Sequence, residues 1–354
     1  MLSLFGKDLI GIDLGSYSLK VVWLKAGAKT PRLKTAASWR LPPEARAASD
    51  SGSLAGFLSG IASAKGLRGR RAAALMTGRS LIFRQIYLPV MPEADLREAV
   101  KWEIKKEGAI PEEEIVCDYC HASTDGKAAG NLYSLIAFAA RKTDVEALMS
   151  GFGEAGIGIR VVDAVPTALL FTFNENNVWE DGVNYGVVDI GHEKTTLVIL
   201  KDRKLAFVRE IAFGGIDLTK AVVEALALSE TEAEERKISC GLGGDEPGQS
   251  GQGGCSRALA PPLERFATEL HRSFDFYQAQ FRGGAVSKLF LSGATAMMPG
   301  IDSFVAEAVG MPSFVDDPLR KIGQRGGVRE AAANIAPALA VATGMALRMS
   351  QHDY

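Results

Sequence analysis

The sequence predicts an α/β protein of two lobes in which one structural unit is used twice. Gly11–Ile12–Asp13–Leu14–Gly15 is followed by the strand-like Lys20–Val21–Val22–Trp23–Leu24–Lys25, and Val188–Asp189–Ile190–Gly191 is followed at the same offset by Thr196–Leu197–Val198–Ile199–Leu200–Lys201. Each copy then offers a third β-like run, Leu33–Leu41 and Lys204–Phe213. Both halves therefore read as strand, small-residue turn, strand, turn, strand. The 354 residues, 47% hydrophobic and 23% charged, suffice for two domains or one large bilobed unit.

In the first half, Lys65, Arg68, Arg70 and Arg71, with Gly66 and Gly69 among them, read as a solvated loop entering the strand-like Ala72–Thr77. Phe83–Val90 reads as a further strand. Pro92 then stands just ahead of a helix over Glu93–Lys106, whose spacing shows in Leu96, Val100 and Ile104. Glu93, Arg97, Lys101 and Lys105 charge the other side, so this helix has a single face to bury, either on the insertion's own strands or beside a docked peptide. Ile115–Ala122 and Leu132–Ala140 read as strands around the turn-rich Thr124–Asn131, and a helix from about Thr143 ends near Gly153–Gly156. In the second half, Leu218–Lys237 reads as an acidic helical insertion and Cys240–Cys255 as a mobile, Gly/Gln-rich surface loop. Helix Pro262–Arg282 follows, and Val286–Leu291 returns to the sheet.

A net charge of -2 gives the chain no electrostatic reason to seek nucleic acid or an anionic membrane. Met1–Gly6 runs directly into Lys7–Asp8, unlike a secretory signal, and the uncharged stretch between Glu330 and Arg348 contains Asn334, Pro337 and Thr343. That stretch falls short of the ~20 apolar residues a spanning helix needs, so the chain reads as soluble. Cys117 and Cys120 form a C-x-x-C, but on a strand positions three apart face opposite ways, which favours structural cysteines over a metal or dithiol site. Four cysteines with no visible framework suit a reducing cytoplasm.

The chemistry gathers in the two hairpins. Gly15 lets the first turn close, the N–H groups of Gly15–Ser18 can converge on phosphate oxygens, and Ser16 and Ser18 add hydroxyls. Asp13, at the end of a buried strand, suits Mg²⁺ held through water, and Lys20 can reach phosphate as a point charge. The second hairpin, Asp189–Thr196, repeats the arrangement, and two such turns make a clamp around one nucleotide and its metal. Phe213–Thr219 is a Gly-Gly turn opening a helix. Glu234 and Lys237, three apart on a helix, suit ribose or adenine, or form one more exposed ion pair. Leu289–Gly300 runs from a strand through a small-residue turn into a helix, as at sites that receive a nucleotide at a helix N-terminus.

These pieces resemble the PilM family, the actin-like proteins of the type IV pilus assembly platform, over nearly the whole chain. The similarity lies in Gly11–Lys20, Phe83–Pro111, Val161–Leu170, Val187–Leu200, Arg209–Thr219, Ala233–Lys237, Leu291–Ile301 and Gly344–Arg348, with Leu88–Glu103 the most diagnostic block. The resemblance implies a bilobed actin/Hsp70-like fold (a duplicated ribonuclease H-like ATPase fold) with a replacement subdomain 1C as in the cell-division protein FtsA. On that pattern, residues 1–80 begin the lobe 1 core, 81–157 form the inserted subdomain, and 158–183 return to lobe 1 and make the inter-lobe helix. Residues 184–217 begin lobe 2, 218–284 are its helical insertion, 285–334 complete it, and 335–354 pack back on lobe 1.

Carried over by motif, Asp13, Gly15, Ser16, Ser18 and Lys20 would form the first phosphate loop. Asp189, Gly191, Thr195 and Thr196 would form the second. Gly214, Gly215, Glu234 and Lys237 would meet ribose and adenine, and Gly293 the adenosine turn, with Asp13 and Asp189 holding Mg²⁺ through water. The implied ligands are ATP and Mg²⁺, with slow hydrolysis at most. The implied partner is the short N-terminal cytoplasmic tail of the membrane protein PilN, with the pilus motor ATPases and self-association as further candidate contacts. The protein would be cytoplasmic, recruited to the inner membrane by its partners and serving twitching motility. Two positions depart from the family pattern: Ala294–Thr295 follow Gly293 where a second glycine is usual, and His192 replaces a small residue beside Gly191.

A small-molecule kinase of the same superfamily is the alternative, with Asp163 where a catalytic base would sit, although its neighbours Val161, Val162, Ala164 and Val165 are apolar and no His or Arg cluster accompanies it. An FtsA-like membrane tether would end in a basic amphipathic helix, whereas Arg348–Tyr354 does not, and a type II secretion L protein would continue into a membrane span.

Overall fold

Two five-stranded sheets carry the duplication. In the computed structural model, which describes residues 8–27, 30–46, 51–76, 81–106, 114–123, 132–242, 252–281, 284–323 and 327–351, the first sheet contains β1 (Asp8–Leu14), β2 (Ser18–Lys25), β3 (Arg32–Arg40), β4 (Arg71–Leu75) and β8 (Gly158–Asp163). The second contains β9 (Asn184–Ile190), β10 (Thr195–Lys201), β11 (Lys204–Ile211), β12 (Val286–Ser292) and β13 (Ser313–Val315). Their strand orders, β3-β2-β1-β4-β8 and β11-β10-β9-β12-β13, are the same order. Register repeats too, since Asp13 faces Lys20 across β1 and β2 as Asp189 faces Thr196 across β9 and β10. Even the turn bond recurs: Gly15 N–H donates to the Ser18 carbonyl and Gly191 N–H to the Lys194 carbonyl, each at 3.1 Å.

Strands covered on both faces need apolar side chains on both, which is why β10 reads as a nearly continuous hydrophobic run. On the outer face of the first sheet, Ile10, Ile12, Val21 and Trp23 pack against α2 (Ser51–Ala64) and α4 (Lys142–Glu154). Its inner face, with Leu9, Val22 and Ala73, meets α5 (Val165–Asn176) and α11 (Ala340–Arg348), and the same cluster continues to Val187 and Val198 of the second sheet. Every residue from Ala340 to Leu347 is buried, so the uncharged C-terminal stretch is a core helix. Among the described residues, no helix is long and apolar enough to cross a membrane.

A third sheet, β5 (Ile82–Pro89), β7 (Leu132–Arg141) and β6 (Ile115–His121) in the order β5-β7-β6, is inserted between β4 and β8. Of the two readings of α3 (Glu93–Lys106), its own strands win. Leu96, Val100 and Ile104 are buried with Leu88, Leu135, Ala137 and Ala139. Cys117 packs in that cluster and Cys120 on the opposite one, as strand alternation requires. Beyond β6, the Ser123 N–H donates to the Leu205 carbonyl at 2.8 Å and its hydroxyl to Asp202 at 3.1 Å, tying the insertion to the β10–β11 turn of the second lobe. The expected turn Thr124–Asn131 lies outside the described residues.

The second insertion differs from expectation in three respects. Leu218–Lys237 is two helices, α6 (Gly215–Leu226) and α7 (Glu230–Cys240), because Ala227 turns left-handed (φ 52°) and Ser229 caps the next helix by accepting from Glu232 N–H. The following helix, α8 (Gln252–Phe281), begins ten residues before Pro262 and carries Pro261 and Pro262 inside it. Proline costs a helix its internal bonds, but Leu259, Leu263, Phe266 and Leu270 are buried along one face and hold the helix through it. Finally, Cys240 and Cys255 belong to α7 and α8 rather than to a loop, and they are joined as a disulfide. Residues 243–251 between them lie outside the described residues.

The chain crosses between lobes at two places that are bound to each other. From β13, residues 316–323 cross back to lobe 1, where Leu33 N–H donates to the Gly323 carbonyl at 2.7 Å and Gly323 N–H to the Pro31 carbonyl at 2.9 Å. The buried Asn176, at the end of α5, donates to the Pro318 carbonyl at 2.7 Å and accepts from Lys321 N–H at 3.0 Å. After this crossing come α10 (Val328–Ala333), a short 3₁₀ turn over Ala336–Leu339, and α11.

Candidate functional site

The repeated hairpins face each other across a cavity of about 630 Å³ between the lobes. Of the fourteen residues the sequence nominates, all but Thr195 and Gly214 line it. Thr195 and Thr196 are neighbours on β10, so only one of them can face the cavity. Thr196 does, while Thr195 is buried with its hydroxyl donating 2.8 Å to the Phe213 carbonyl. Gly214 sits at the N-cap of α6.

Asp13 and Asp189 stand at matching strand ends. Asp13 is buried and accepts from Lys20 Nζ at 3.0 Å, so the lysine is held over the first turn. Ser292 donates to Asp189 at 3.1 Å. Burial, then the charge of Asp13, push the Asp189 carboxyl up to about 6 against the pull of Lys20 and Ser292. Two carboxyl groups at the wall of one cavity, one of them raised by burial and by the other's charge, are a donor set a divalent cation fits, because the cation reverses the repulsion.

The turn backbones contribute differently from the sequence reading. The N–H groups of Gly15 and Gly191 are engaged in closing their own turns, and those of Gly215 and Ile216, at the start of α6, donate to the Gly191 and His192 carbonyls. Gly191 and Gly215 serve by shape. A Cβ on Gly215 would stand 2.7 Å from the Thr295 hydroxyl and 3.3 Å from Lys237 Nζ, in the wall of the cavity. Gly15 has no need of glycine's left-handed backbone, and a Cβ there makes only ordinary contacts, the nearest at 3.4 Å.

Glu234 and Lys237 are an ion pair, but not an exposed one. Lys237 is buried and its ammonium bonds Glu234 at 2.7 Å, the Thr219 hydroxyl at 3.1 Å and the Gly215 carbonyl at 3.2 Å. Burial pulls its pKa below the usual lysine value, although Glu234 opposes the shift. This locked group gives the cavity a fixed polar wall beside α6.

At the adenosine turn, Gly293 has φ 89°, and a Cβ there would meet the Ile190 carbonyl oxygen at 2.3 Å. Only glycine fits. Ala294 lies in a 3₁₀ turn with ordinary backbone, so a second glycine is not required for the conformation. His192 lies beside the second turn with its ring against Tyr17 of the first, centroids 4.3 Å apart. Tyr17, Arg40 and Arg46 also line the cavity, and no motif pointed to them. Their convergence depends on tertiary contacts that local spacing does not encode.

Asp163 does not line this cavity. It ends β8, accepts from Ala164 N–H and the Thr167 hydroxyl beside the start of α5, and accepts from Arg348 Nε at 2.7 Å. An arginine does accompany it, in a structural role, and the carboxylate is committed on both oxygens.

Asp163 instead borders a second cavity, of about 470 Å³, between the inserted sheet and lobe 1. Val116, Asp118 and Cys120 of β6 face Arg160 and Val162 of β8 across it, with Arg348 at one side. Both β6 and β8 are edge strands of their sheets, and an unpaired strand edge is a template for an added strand.

Comparison with known proteins adds to this geometry. A family model described as type IV pilus assembly protein PilM matches residues 11–350. The cell division protein FtsA of Enterococcus hirae is 25% identical over 198 residues, which cover 51% of this chain and 43% of FtsA, less than half of that relative's length. Among solved structures, a PilM-PilN type IV pilus biogenesis complex is similar with a TM-score of 0.80 and 26% identity, over 96% of this chain and 97% of that one. The ethanolamine utilization protein EutJ from Carboxydothermus hydrogenoformans (TM-score 0.57, 15% identity, 96% and 89% covered) shares the fold. So does MreB5 of Spiroplasma citri bound to ADP (0.54, 12%, 98% and 97%). The architecture is the actin/Hsp70-like one, with a third sheet inserted in the first lobe.

Proposed function

Because the chain belongs to the type IV pilus assembly PilM family, we propose that this actin-like protein binds ATP with Mg²⁺ between its lobes and acts as a scaffold for the N-terminal tail of a PilN-like membrane protein. The observation that carries the nucleotide half is the facing pair of hairpins, each ending in an aspartate on one cavity. Lys20 would balance phosphate charge, Ser16, Ser18 and Thr196 would offer hydroxyls, and Gly215 and Gly293 would keep the wall open for the nucleoside. Bound Mg²⁺ would neutralise charge on the polyphosphate, and Asp13 and Asp189 would hold it through water. The peptide half is supported by the likeness to a PilM-PilN complex and by the two strand edges that border one groove. An extended tail there would draw affinity from main-chain hydrogen bonds and selectivity from the side chains between them. Held in this way at the inner membrane, the scaffold would link the membrane platform to the cytoplasmic motor.

Titration calorimetry with ATP and Mg²⁺ tests the first half. Binding should need the metal and fall at least tenfold in Asp13→Ala, and equal affinity in both proteins would sink the clamp. Fluorescence polarisation with a PilN-type N-terminal peptide tests the second. Val116→Asp alters an exposed residue of β6 on the groove, and it should weaken the peptide at least tenfold with unchanged melting. Unaltered peptide affinity would move the partner site elsewhere.

A further inference from the structure

We propose that Tyr17 and His192, with Arg46 and Glu230 beside them, form a clasp across the mouth of the cleft that sets how long a nucleotide stays bound. The proposal rests on the nucleotide reading above and assigns a role to residues that reading does not use. Tyr17 belongs to the β1–β2 turn of one lobe and His192 to the β9–β10 turn of the other. Their ring centroids are 4.3 Å apart at an interplanar angle of 31°. Burial lowers the His192 pKa, so at neutral pH the imidazole meets the tyrosine ring uncharged.

The tyrosine is held from its own side. The guanidinium groups of Arg40 and Arg46 lie 4.9 and 4.4 Å from its ring centroid, at cation–π distance. Arg46, which closes the short helix α1 (Pro43–Arg46), is itself fixed by a 3.0 Å bond from Nε to the Leu41 carbonyl. It then reaches over the gap, with Nη1 3.9 Å from Glu230 in the first turn of α7, the helix that carries Glu234 and Lys237. Ring contact and ion pair thus join the same two lobes over the same cavity.

The bland alternative is two incidental surface contacts. Against it stands their placement: the two turns are the walls between which phosphates would sit, so the lobes cannot part there while the rings remain together. Breaking an aromatic contact of this kind changes an opening equilibrium roughly three- to tenfold. The clasp should therefore slow release without being a ligand contact.

Stopped-flow release of a fluorescent ATP analogue, N-methylanthraniloyl-ATP with Mg²⁺, from the full chain tests this. Tyr17→Ala and His192→Ala should each speed release about fivefold, and the double variant should release no faster than the singles, because both remove one shared contact. Tyr17→Phe should keep the wild-type rate, since it keeps the ring and controls for folding, and Arg46→Gln should speed release about twofold. Unchanged release in the alanine variants, or effects that multiply in the double variant, would overturn the clasp while leaving the nucleotide site standing. No binding signal from the wild type or any variant would overturn the nucleotide reading and the clasp with it.

Discussion

Asp189 is costly to the fold without a cation beside it, and under the proposed metal binding the same carboxylate would become an asset. Its carboxyl titrates near 6 in the folded chain against an ordinary 3.8, so folding favours its protonated form. The stability it contributes is complete below 3.8 and is lost as pH rises through about 6. At pH 7.5 the ionised carboxylate faces Asp13 with no cation between, and Asp189→Asn should raise the melting temperature by roughly 2–4 °C. The gain should shrink towards zero as pH falls to 4, measured by scanning calorimetry without nucleotide or metal. A gain that is the same at both pH values would show that the carboxyl is not strained. At this scale the sequence was informative about the aspartates, Lys20 and Gly293, whose motifs are local. It misjudged Thr195, where strand alternation turns the side chain away, and it missed Tyr17, Arg40 and Arg46, which meet only through the tertiary fold.

Strands and helices were more legible than their joints. Alternation and spacing predicted the hairpins, α3 and the inserted sheet because each is specified by its own residues. The prolines within α8 and the Cys240–Cys255 disulfide were not legible, since packing between helices decides them, whereas the break at Ala227 carried a local signal, the Ser229–Glu232 capping pair, that the sequence reading passed over. Helix α11 is the sharpest case, an apolar run whose purpose lies in what surrounds it. Gly344 lets it approach α5 so closely that a Cβ would sit 1.9 Å from the Ala168 carbonyl oxygen. Gly344→Ala should therefore cost about 1–3 kcal/mol by overpacking, read from urea denaturation. A cost under about 0.5 kcal/mol would mean the two helices can slide apart freely.

Across the whole molecule, charge in the cleft is largely committed before any ligand arrives. Glu234 is bonded to Lys237 and Thr219 and Glu210 to Lys194, while Glu193 lines the cavity at an exposed edge of the second turn. With the two aspartates proposed for the metal, that leaves Glu193 among the described carboxylates of the cavity to activate water. A solvent-exposed side chain positions water poorly, so purified protein should hydrolyse ATP far below the ~10 s⁻¹ typical of an enzyme. A phosphate-release assay checks this, and turnover near that figure would mean that one of these pairs opens. The repeat was visible in the sequence as two matching offsets. The strap over residues 316–323 and the Ser123 link were not, because each joins segments far apart in the chain.

The place of α11 in the fold also bears on how the protein is made. Translation delivers β1, β2 and β4 early and delivers the helix that covers their inner face only after lobe 2 has been synthesised. Lobe 2 is an unbroken run from β9 to β13 and can complete its sheet while the ribosome is still at work. Lobe 1 has to wait, with Leu9, Val22 and Ala73 uncovered. A nascent chain stalled before Ala340 presents that apolar face to solvent and to whatever holdase chaperone stands at the exit tunnel.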